Sequence, residues 1–595
     1  MSLARVFLFL LPFVSLSSYV YAQQLQAPVI IRDIKIIILP MFEEQVGELS
    51  NNSLTEQSDK NFFADWLNLN CVYETANDVK VSTRRSIVQR ELLFKSGDVF
   101  SEFVIEESER NLRSLSFLRQ VDISVKFEGN YADIVVKVQD TWTLFPQMSF
   151  SSGGGTNRTS FGVAERNLLG FGKRVEMLYV DDEGRDTVQG VYDDNRFLNT
   201  RNRLLLGHFY RVDGYRSLVS LSRPFRSLVD KFSWSVSAES SDLVGKLYEN
   251  GNERFIFRNE HNDLNATVAK SYGEPDKLVR RYALGYDYVK DNFAEASQSD
   301  YVDVDVSYDS VSHDGGLLAD DRLFSGPFAS FRQIEPDFIS LDYIDRFERE
   351  QDFNLGVEWF SKIGIAPKEL GSNDSKLFFS ASRSGGIAVA DKTIFRSGST
   401  VLGRFGNDGL SNAVIRFEGK AYAVTGKQSI YDIFIGRHTI ASSIVIDSGF
   451  DFDADAELLL GASNGLRGYK DRTFTGSHRL IGNFEDRFYL IEDVLKVASF
   501  GGAVFVDIGG TSSNSVFDIL DDRLYQDVGV GLRVGFPRSS GGSVLRFDVA
   551  CALRSGPDDS EQFKPRFLMS FGQVFDSDLS TESSSTKQAS VDIGL

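Results

Sequence analysis

The sequence predicts a mainly β fold, an antiparallel transmembrane β-barrel of about 16 strands preceded by one small β-α-α-β-β domain. Composition is the first support. Phe (49), Tyr (21) and Gly (50) are abundant, Pro (12) is scarce, and hydrophobic residues reach only 42%. That balance suits an aromatic-rich β chain and not a helical membrane protein. Second, beyond the N-terminus no apolar run reaches the roughly 18 residues that a spanning helix needs. Third, polar and apolar residues alternate from Trp142 to Phe575. The alternating stretches are about nine to eleven residues long, which is the length of a tilted bilayer-crossing strand.

Taken in chain order, residues 1–22 read as an export signal. Arg5 precedes an apolar run, and Val20, Tyr21 and Ala22 offer a cleavage site. The small domain is expected over 23–140. It opens with the strand candidate "VIIRDIKIIIL", and a polar stretch over 43–60 reads as a loop. Residues 84–94 space Ile87, Val88, Glu91 and Leu92 as one helical face, and 103–115 do the same with Val104, Ser108, Leu112 and Leu115. "KSGDVFS" between them supplies a Gly stop and a Ser start. "QVDISVKFE" and "ADIVVKVQD", joined by "GNY", read as two strands.

The barrel is expected over 141–575. "YVDVDVSY", "QDVGVGLRVGF" and "VLRFDVACAL" each set apolar residues on one face against polar residues or glycine on the other. Dividing the span among about 16 strands leaves roughly 27 residues for each strand and its connection. Polar inserts within 291–341 and 364–376 are expected to be extracellular loops. The Ser/Thr-rich acidic end, 576–595, reads as a disordered tail because it lacks the apolar residues to bury.

Charge and residue usage exclude several functions. A net charge of −20 opposes a nucleic-acid partner. Five histidines, scattered without HExxH or i, i+4 pairing, offer no metal centre, and no cofactor is implied. Cys71 and Cys551 are too far apart in sequence to form the framework of a disulfide-stabilised scaffold. "GASNGLRGYKD", 461–471, contains G-x-S-x-G, but a nucleophile elbow needs a helix after Ser463, and Leu466, Arg467 and Gly468 follow without helical period. "GVGLRVG", 529–535, sits inside a period-two strand with no helix to receive a phosphate. The chain is therefore not expected to be an enzyme.

Parity along the C-terminal strands places side chains. Val504, Val506 and Ile508 form a lipid face, which turns Phe505, Asp507 and Gly509 inward. Phe484 and Phe488 face out, and Asn483, Glu485 and Arg487 face in. Glu485, Asp507 and Asp548 thus share the lumen with Arg487, Arg533 and Arg546. The long connection just upstream carries Arg467 between Gly465 and Gly468, whose missing Cβ atoms permit close approach.

"GLRGY", then "NFEDRF", then "FVDIG" on the next strand resemble the marks of the Omp85 superfamily of outer-membrane assembly and translocation barrels. "FGVAERNLLGFGKRVE" looks like that family's second strand, hairpin and third strand. "RELLFKSGD" and "RNLRSLSFLRQVDISV" resemble a single POTRA module. The resemblance implies that Arg467 lies at a loop tip folded back into the lumen and paired with Asp507 and Glu485 near Gly509, with Gly468 and Tyr469 shaping the tip. It also implies a barrel seam between 144–152 and 567–575, with Phe150, Phe571 and Phe575 on it. The implied function is insertion or translocation of polypeptides in the outer membrane of a diderm bacterium, the small domain lying in the periplasm. Implied partners are outer-membrane lipid, unfolded client polypeptides carrying β-signal strands, and periplasmic chaperones or accessory lipoproteins. A two-partner-secretion translocator and a passive pore or structural surface antigen are the alternatives. The family's chains usually stop at the terminal aromatic, whereas this one runs on past Phe575 to Leu595.

Overall fold

A computed structural model describes residues 28–42, 80–153, 156–182, 186–301, 311–312, 314–431, 433–540, 544–557, 562–575 and 578–579. The expected export signal, the 43–60 loop, Cys71 and all of "YVDVDVSY" after Tyr301 lie outside the described residues.

Among the described residues the N-terminal unit has the expected order: β1 (Ile30–Leu39), α1 (Arg85–Glu91), α2 (Glu102–Arg113), β2 (Leu118–Glu128) and β3 (Tyr131–Asp140). β3 is central, parallel to β1 and antiparallel to β2. The helical spacing of Ile87, Val88, Ile105 and Leu112 delivers them to one core with Ile31, Val121, Ile134, Val136 and Val138 of the sheet. α2 carries Glu102 in its first turn and Arg110 and Arg113 in its last, each sign favoured by the helix dipole. Gly97 adopts φ 91° between the helices, a left-handed turn that suits glycine.

The barrel begins with β4 (Leu144–Gly153), β5 (Thr156–Glu165), β6 (Lys173–Asp182), β7 (Thr187–Asp194), β8 (Arg203–Arg211) and β9 (Gly214–Arg223). β10 (Phe232–Glu249), β11 (Asn252–Glu274), β12 (Leu278–Glu295) and β13 (Arg322–Ile334) follow. A small hairpin, β14 (Phe338–Leu341) with β15 (Gln351–Asn354), interrupts the wall. The wall resumes with β16 (Glu358–Ala366), β17 (Lys376–Ala390), β18 (Thr393–Gly406), β19 (Gly409–Ile430) and β20 (Ile433–Phe450). A second small pair, β21 (Leu458–Leu460) and β22 (Phe474–Gly476), precedes β23 (His478–Val494) and β24 (Ala498–Ser512). Helix α3 (Val516–Asp522), β25 (Tyr525–Gly535), β26 (Leu545–Ala552) and β27 (Pro565–Phe571) complete the order.

Among the described residues the closed barrel has twenty strands, not about sixteen. Connections shorter than the assumed average explain the difference: six strands fit between Leu144 and Arg223, and β8 and β9 are joined through Val212 and Asp213 alone. The outer wall is apolar at alternate positions. Val504, Val506 and Ile508 are exposed while Phe505 and Asp507 are buried, and Val528, Val530 and Leu532 repeat the pattern on the next strand. A ring of such strands is stable with its outside in hydrocarbon, because closure satisfies the backbone. β10, β11 and β12, at 18, 23 and 18 residues, exceed a bilayer crossing and stand out beyond it.

β3 leads directly into β4, so β4 starts on the side of the N-terminal unit and antiparallel succession fixes every later connection. Residues 335–357 lie on the near side and 451–477 on the far side. The expectation of extracellular loops from polar inserts within 291–341 is therefore corrected at the end of that range, which belongs to the near-side segment 335–357 and folds into the lumen. There Leu341, Tyr343, Ile344, Phe347 and Phe353 bury against Tyr422, Val424 and Tyr489 of the wall. The apolar faces of this segment need a partner, and the lumen supplies it.

The expected seam is also corrected at one residue. β27 ends at Phe571, and Gly572, at φ 92°, turns the chain inward. Phe575 therefore leaves the wall and lies buried in the lumen, its ring 6.4 Å from that of Tyr422 and 4.8 Å from the Arg487 guanidinium. Phe571 remains on β27, opposite Leu545 of β26. Leu579, in the segment expected to be disordered, is fully buried, and Lys420 donates to the Asp578 carbonyl.

Candidate functional site

The far-side connection 451–477 descends into the barrel. Its base is held by β21 and β22 and by ion pairs: Arg322 meets Asp453 at 2.5 Å and Asp455 at 2.8 Å, and Arg404 also pairs with Asp453. Arg479 of β23 donates to the Leu459 carbonyl at 2.6 Å and to Asp447 of β20 at 2.8 Å. The turn above returns through Gly461 and Gly465, the latter at φ 145°, where a Cβ would collide with the Ile481 side chain at 2.5 Å. A glycine is required at this close approach.

Arg467 occupies the tip with no solvent exposure. Its Nε donates to Asp507 Oδ2 at 2.7 Å and its Nη2 to Oδ1 at 2.8 Å, a two-pronged fork, while Nη1 donates to Glu485 Oε1 at 2.5 Å. The guanidinium lies 3.3 Å from the centroid of the Phe505 ring. Asn483 secures both partners, donating to the Gly465 carbonyl at 2.8 Å and to Asp507 at 2.7 Å. Gly468 fits because a Cβ there would sit 2.5 Å from that of Asp527. Tyr469 is buried against Phe474 and Tyr525 and donates from its hydroxyl to the Arg554 carbonyl at 2.8 Å. Gly509 borders the loop's base rather than the arginine: a Cβ there would sit 2.6 Å from the Leu480 carbonyl of the neighbouring strand and 3.2 Å from the Leu460 side chain.

Sequence reasoning left Arg533, Arg546 and Asp548 as lumen lining, and the structure joins all three to the network. Arg533 pairs with Asp548 at 2.5 Å and lies 3.8 Å from Glu485, Arg487 pairs with Glu485 at 2.8 Å, and Arg546 lies 3.5 Å from Asp548. Their shared inward parity on adjacent strands was the available signal. Asp527 falls on the polar face of its strand by alternation but was not counted among the loop's partners, although it is fully buried and in register with Asp507 on the next strand. Ser463 is exposed, and turns rather than a helix follow it, so no nucleophile elbow forms.

The tip of the β10–β11 hairpin leans onto the same loop. The Tyr248 N–H donates to Glu457 at 3.0 Å, and the Arg472 guanidinium lies 4.6 Å from the Tyr248 ring. Burial pushes the Glu457 carboxyl up to about 7, with the Tyr248 N–H, Arg254 and Arg472 opposing it. A raised folded-state value means that the docked loop holds this proton more tightly than the undocked one. Its contribution is present below the ordinary carboxylate range and is lost as pH rises through about 7. Glu457→Gln is expected to flatten the fall in melting temperature across that window and to stabilise the loop at pH 8 by on the order of 1–3 kcal/mol. Melting curves at pH 5 and pH 8 check this; equal slopes for parent and variant would refute it.

The geometry is structural and electrostatic. A loop is pinned inside a barrel by a buried, forked ion pair, and the near-side segment and Phe575 occupy the other end of the lumen.

No family model matches the chain, and no curated protein matches it. Among solved structures it aligns with BamA from Haemophilus ducreyi lacking POTRA domains 1–3, at 14% identity and TM-score 0.36, over 83% of this chain and 82% of that one. It also aligns with CdiB from Acinetobacter baumannii, at 11% identity and TM-score 0.43, over 94% and 95% of the two chains. CdiB from Escherichia coli gives 10% identity and TM-score 0.41 over 94% and 93%.

Proposed function

We propose that this chain is an Omp85-type outer-membrane barrel that inserts client β-barrel polypeptides through a lateral seam, with the Arg467 loop holding the lumen side of the machine in place. One observation carries the reading. Among the described residues β27 and β4 close the barrel through only Leu568 with Ser151 and Met569 with Phe150, whereas β26 and β27 run in register from Leu545–Phe571 to Cys551–Pro565. The β4 edge from Leu144 to Met148 has no ladder partner on that side among the described residues. Unpaired backbone groups in hydrocarbon cost several kcal/mol each. Such an edge is a template for an incoming strand.

The occupied lumen argues against a passive pore, because the 335–357 segment, the 451–477 loop and Phe575 fill the space that solutes would cross. In this reading the N-terminal unit lies in the periplasm, where its sheet edges offer docking sites for clients and accessory proteins.

Depleting the chain in its host and quantifying other outer-membrane proteins tests the function. Their levels are expected to fall while inner-membrane proteins hold steady; unchanged outer-membrane protein levels would sink the proposal.

A further inference from the structure

A cavity of about 470 Å³ opens on the near side, where three parts of the chain meet. Its walls are the C-terminal end of α2, the 224–231 connection with Arg281 of β12 behind it, and the lumen segment 335–357. Arginines dominate the lining. The acidic residues on these walls are already engaged or turned to solvent. Glu107 accepts from Arg110 at 2.8 Å and from the Leu228 N–H at 2.7 Å, Asp352 takes both prongs of Arg113 at 2.9 and 2.7 Å, and Glu350 is exposed.

Three guanidiniums are left without a carboxylate. Arg281 donates to the Ser227 carbonyl at 3.0 Å, and its buried Nε has no partner. Arg349 donates to the carbonyls of Arg113 and Leu115 at 3.3 and 3.2 Å, which suits a cation at a helix C-terminus and leaves its remaining donors free. Arg346 makes no hydrogen bond or ion-pair contact with any described residue; the Asp345 and Asp578 carboxylates act on it without contact, and burial outweighs them. Burial, with Arg346 and Arg166 nearby, pulls the Arg349 guanidinium down to about 9. Collecting cations that no carboxylate contacts in one half-buried cavity is unfavourable unless something else supplies the charge: Asp230, Glu358 and Glu107 act on Arg281, and Asp345 and Asp578 on Arg346, only from beyond contact, and burial outweighs them. This chain carries 84 acidic residues against 64 basic ones, so the lack of a carboxylate here is not a shortage of acids.

We propose that this cavity binds a phosphate ester, with Arg281, Arg346 and Arg349 as its anion-binding residues. A tetrahedral phosphate has enough acceptor oxygens for three donor forks arriving from different elements, whereas a carboxylate has two. The volume exceeds that of a bare oxyanion. The Phe225 ring beneath Arg281, at 4.2 Å, and the Phe338 ring beneath Arg110, at 4.5 Å, give the cavity apolar walls for the organic part of the ester. The ligand would bridge the N-terminal unit, the wall and the lumen segment, and so fix the unit against the barrel mouth.

The test is calorimetric titration of the full-length folded chain, in a phosphate-free detergent, with dioctanoyl phosphatidate and separately with inorganic phosphate. Saturable binding at one site is expected for the phosphatidate, weakened on the order of tenfold or more by Arg346→Gln and again by Arg281→Gln. Equal affinity for inorganic phosphate assigns a free phosphate as the ligand, and weaker affinity assigns the lipid ester. Because Arg346 is unpaired, Arg346→Gln should melt no lower than the parent without ligand, which separates lost binding from lost folding. No binding of either probe, or phosphatidate binding by Arg346→Gln that equals the parent's, would overturn the proposal.

Discussion

Arg467→Ala is expected to undock the 451–477 loop, with a loss of about 3–5 kcal/mol, the cost of leaving a buried charge without its partner. Asp507 and Glu485 are both fully buried, and Asp548 lies 3.5 Å from the same guanidinium. Removing the arginine leaves these carboxylates facing one another, with Arg487, Arg533 and Arg546 as the remaining cations. Arg467→Lys keeps a charge but loses the fork on Asp507 and the stacking on Phe505, so it should fall between parent and alanine. Limited proteolysis within 461–477 and the melting temperature report undocking. The pairing itself is tested by a cycle of Arg467→Ala, Asp507→Ala and the double variant, which should show a coupling of about 2 kcal/mol or more. Additive losses would mean that Arg467 and Asp507 do not act together.

The second large effect is expected at the seam. Ser151 and Leu568 are register partners on β4 and β27, so Ser151→Cys with Leu568→Cys places two thiols across it. Directly opposed strand residues are close enough for a disulfide. Oxidation should convert a closure of two residue pairs into a covalent one, and client insertion should fall to the uncatalysed rate, returning on reduction. The same cysteine pair moved to Leu545 and Phe571, between β26 and β27, should leave insertion unchanged, because that ladder has no need to open.

Much of this architecture could be read from period two. Alternation alone turns Glu485 and Asp507 inward on neighbouring strands, and the structure puts both side chains in the lumen, because a barrel wall gives each strand residue one of two sides. The helical spacing of Ile87, Val88 and Leu112 likewise marked the core of the N-terminal unit. What escaped was whatever depends on segments distant in sequence. Tyr343, Ile344 and Phe347 are spaced as a helical face would be, yet they form no helix, and only the closed barrel provides the surface that buries them. Phe575 was assigned to the wall by resemblance, while the decisive feature was the backbone at Gly572, whose φ of 92° takes the chain off the strand. The strand count failed for a local reason: the assumed average connection was too long, although Asp213 and Gly214 at the turn from β8 to β9 carry a hairpin signal that the sequence displays. Arg281, Arg346 and Arg349 belong to separate segments, and nothing local brings them to one cavity.

The most direct measurement is the rate at which an unfolded β-barrel client inserts into liposomes carrying the Ser151→Cys, Leu568→Cys chain, read by protease protection before and after reduction. Slow insertion when oxidised and fast insertion when reduced is the expected result. Equal rates in the two states, or no acceleration over empty liposomes in either, would contradict insertion through this seam.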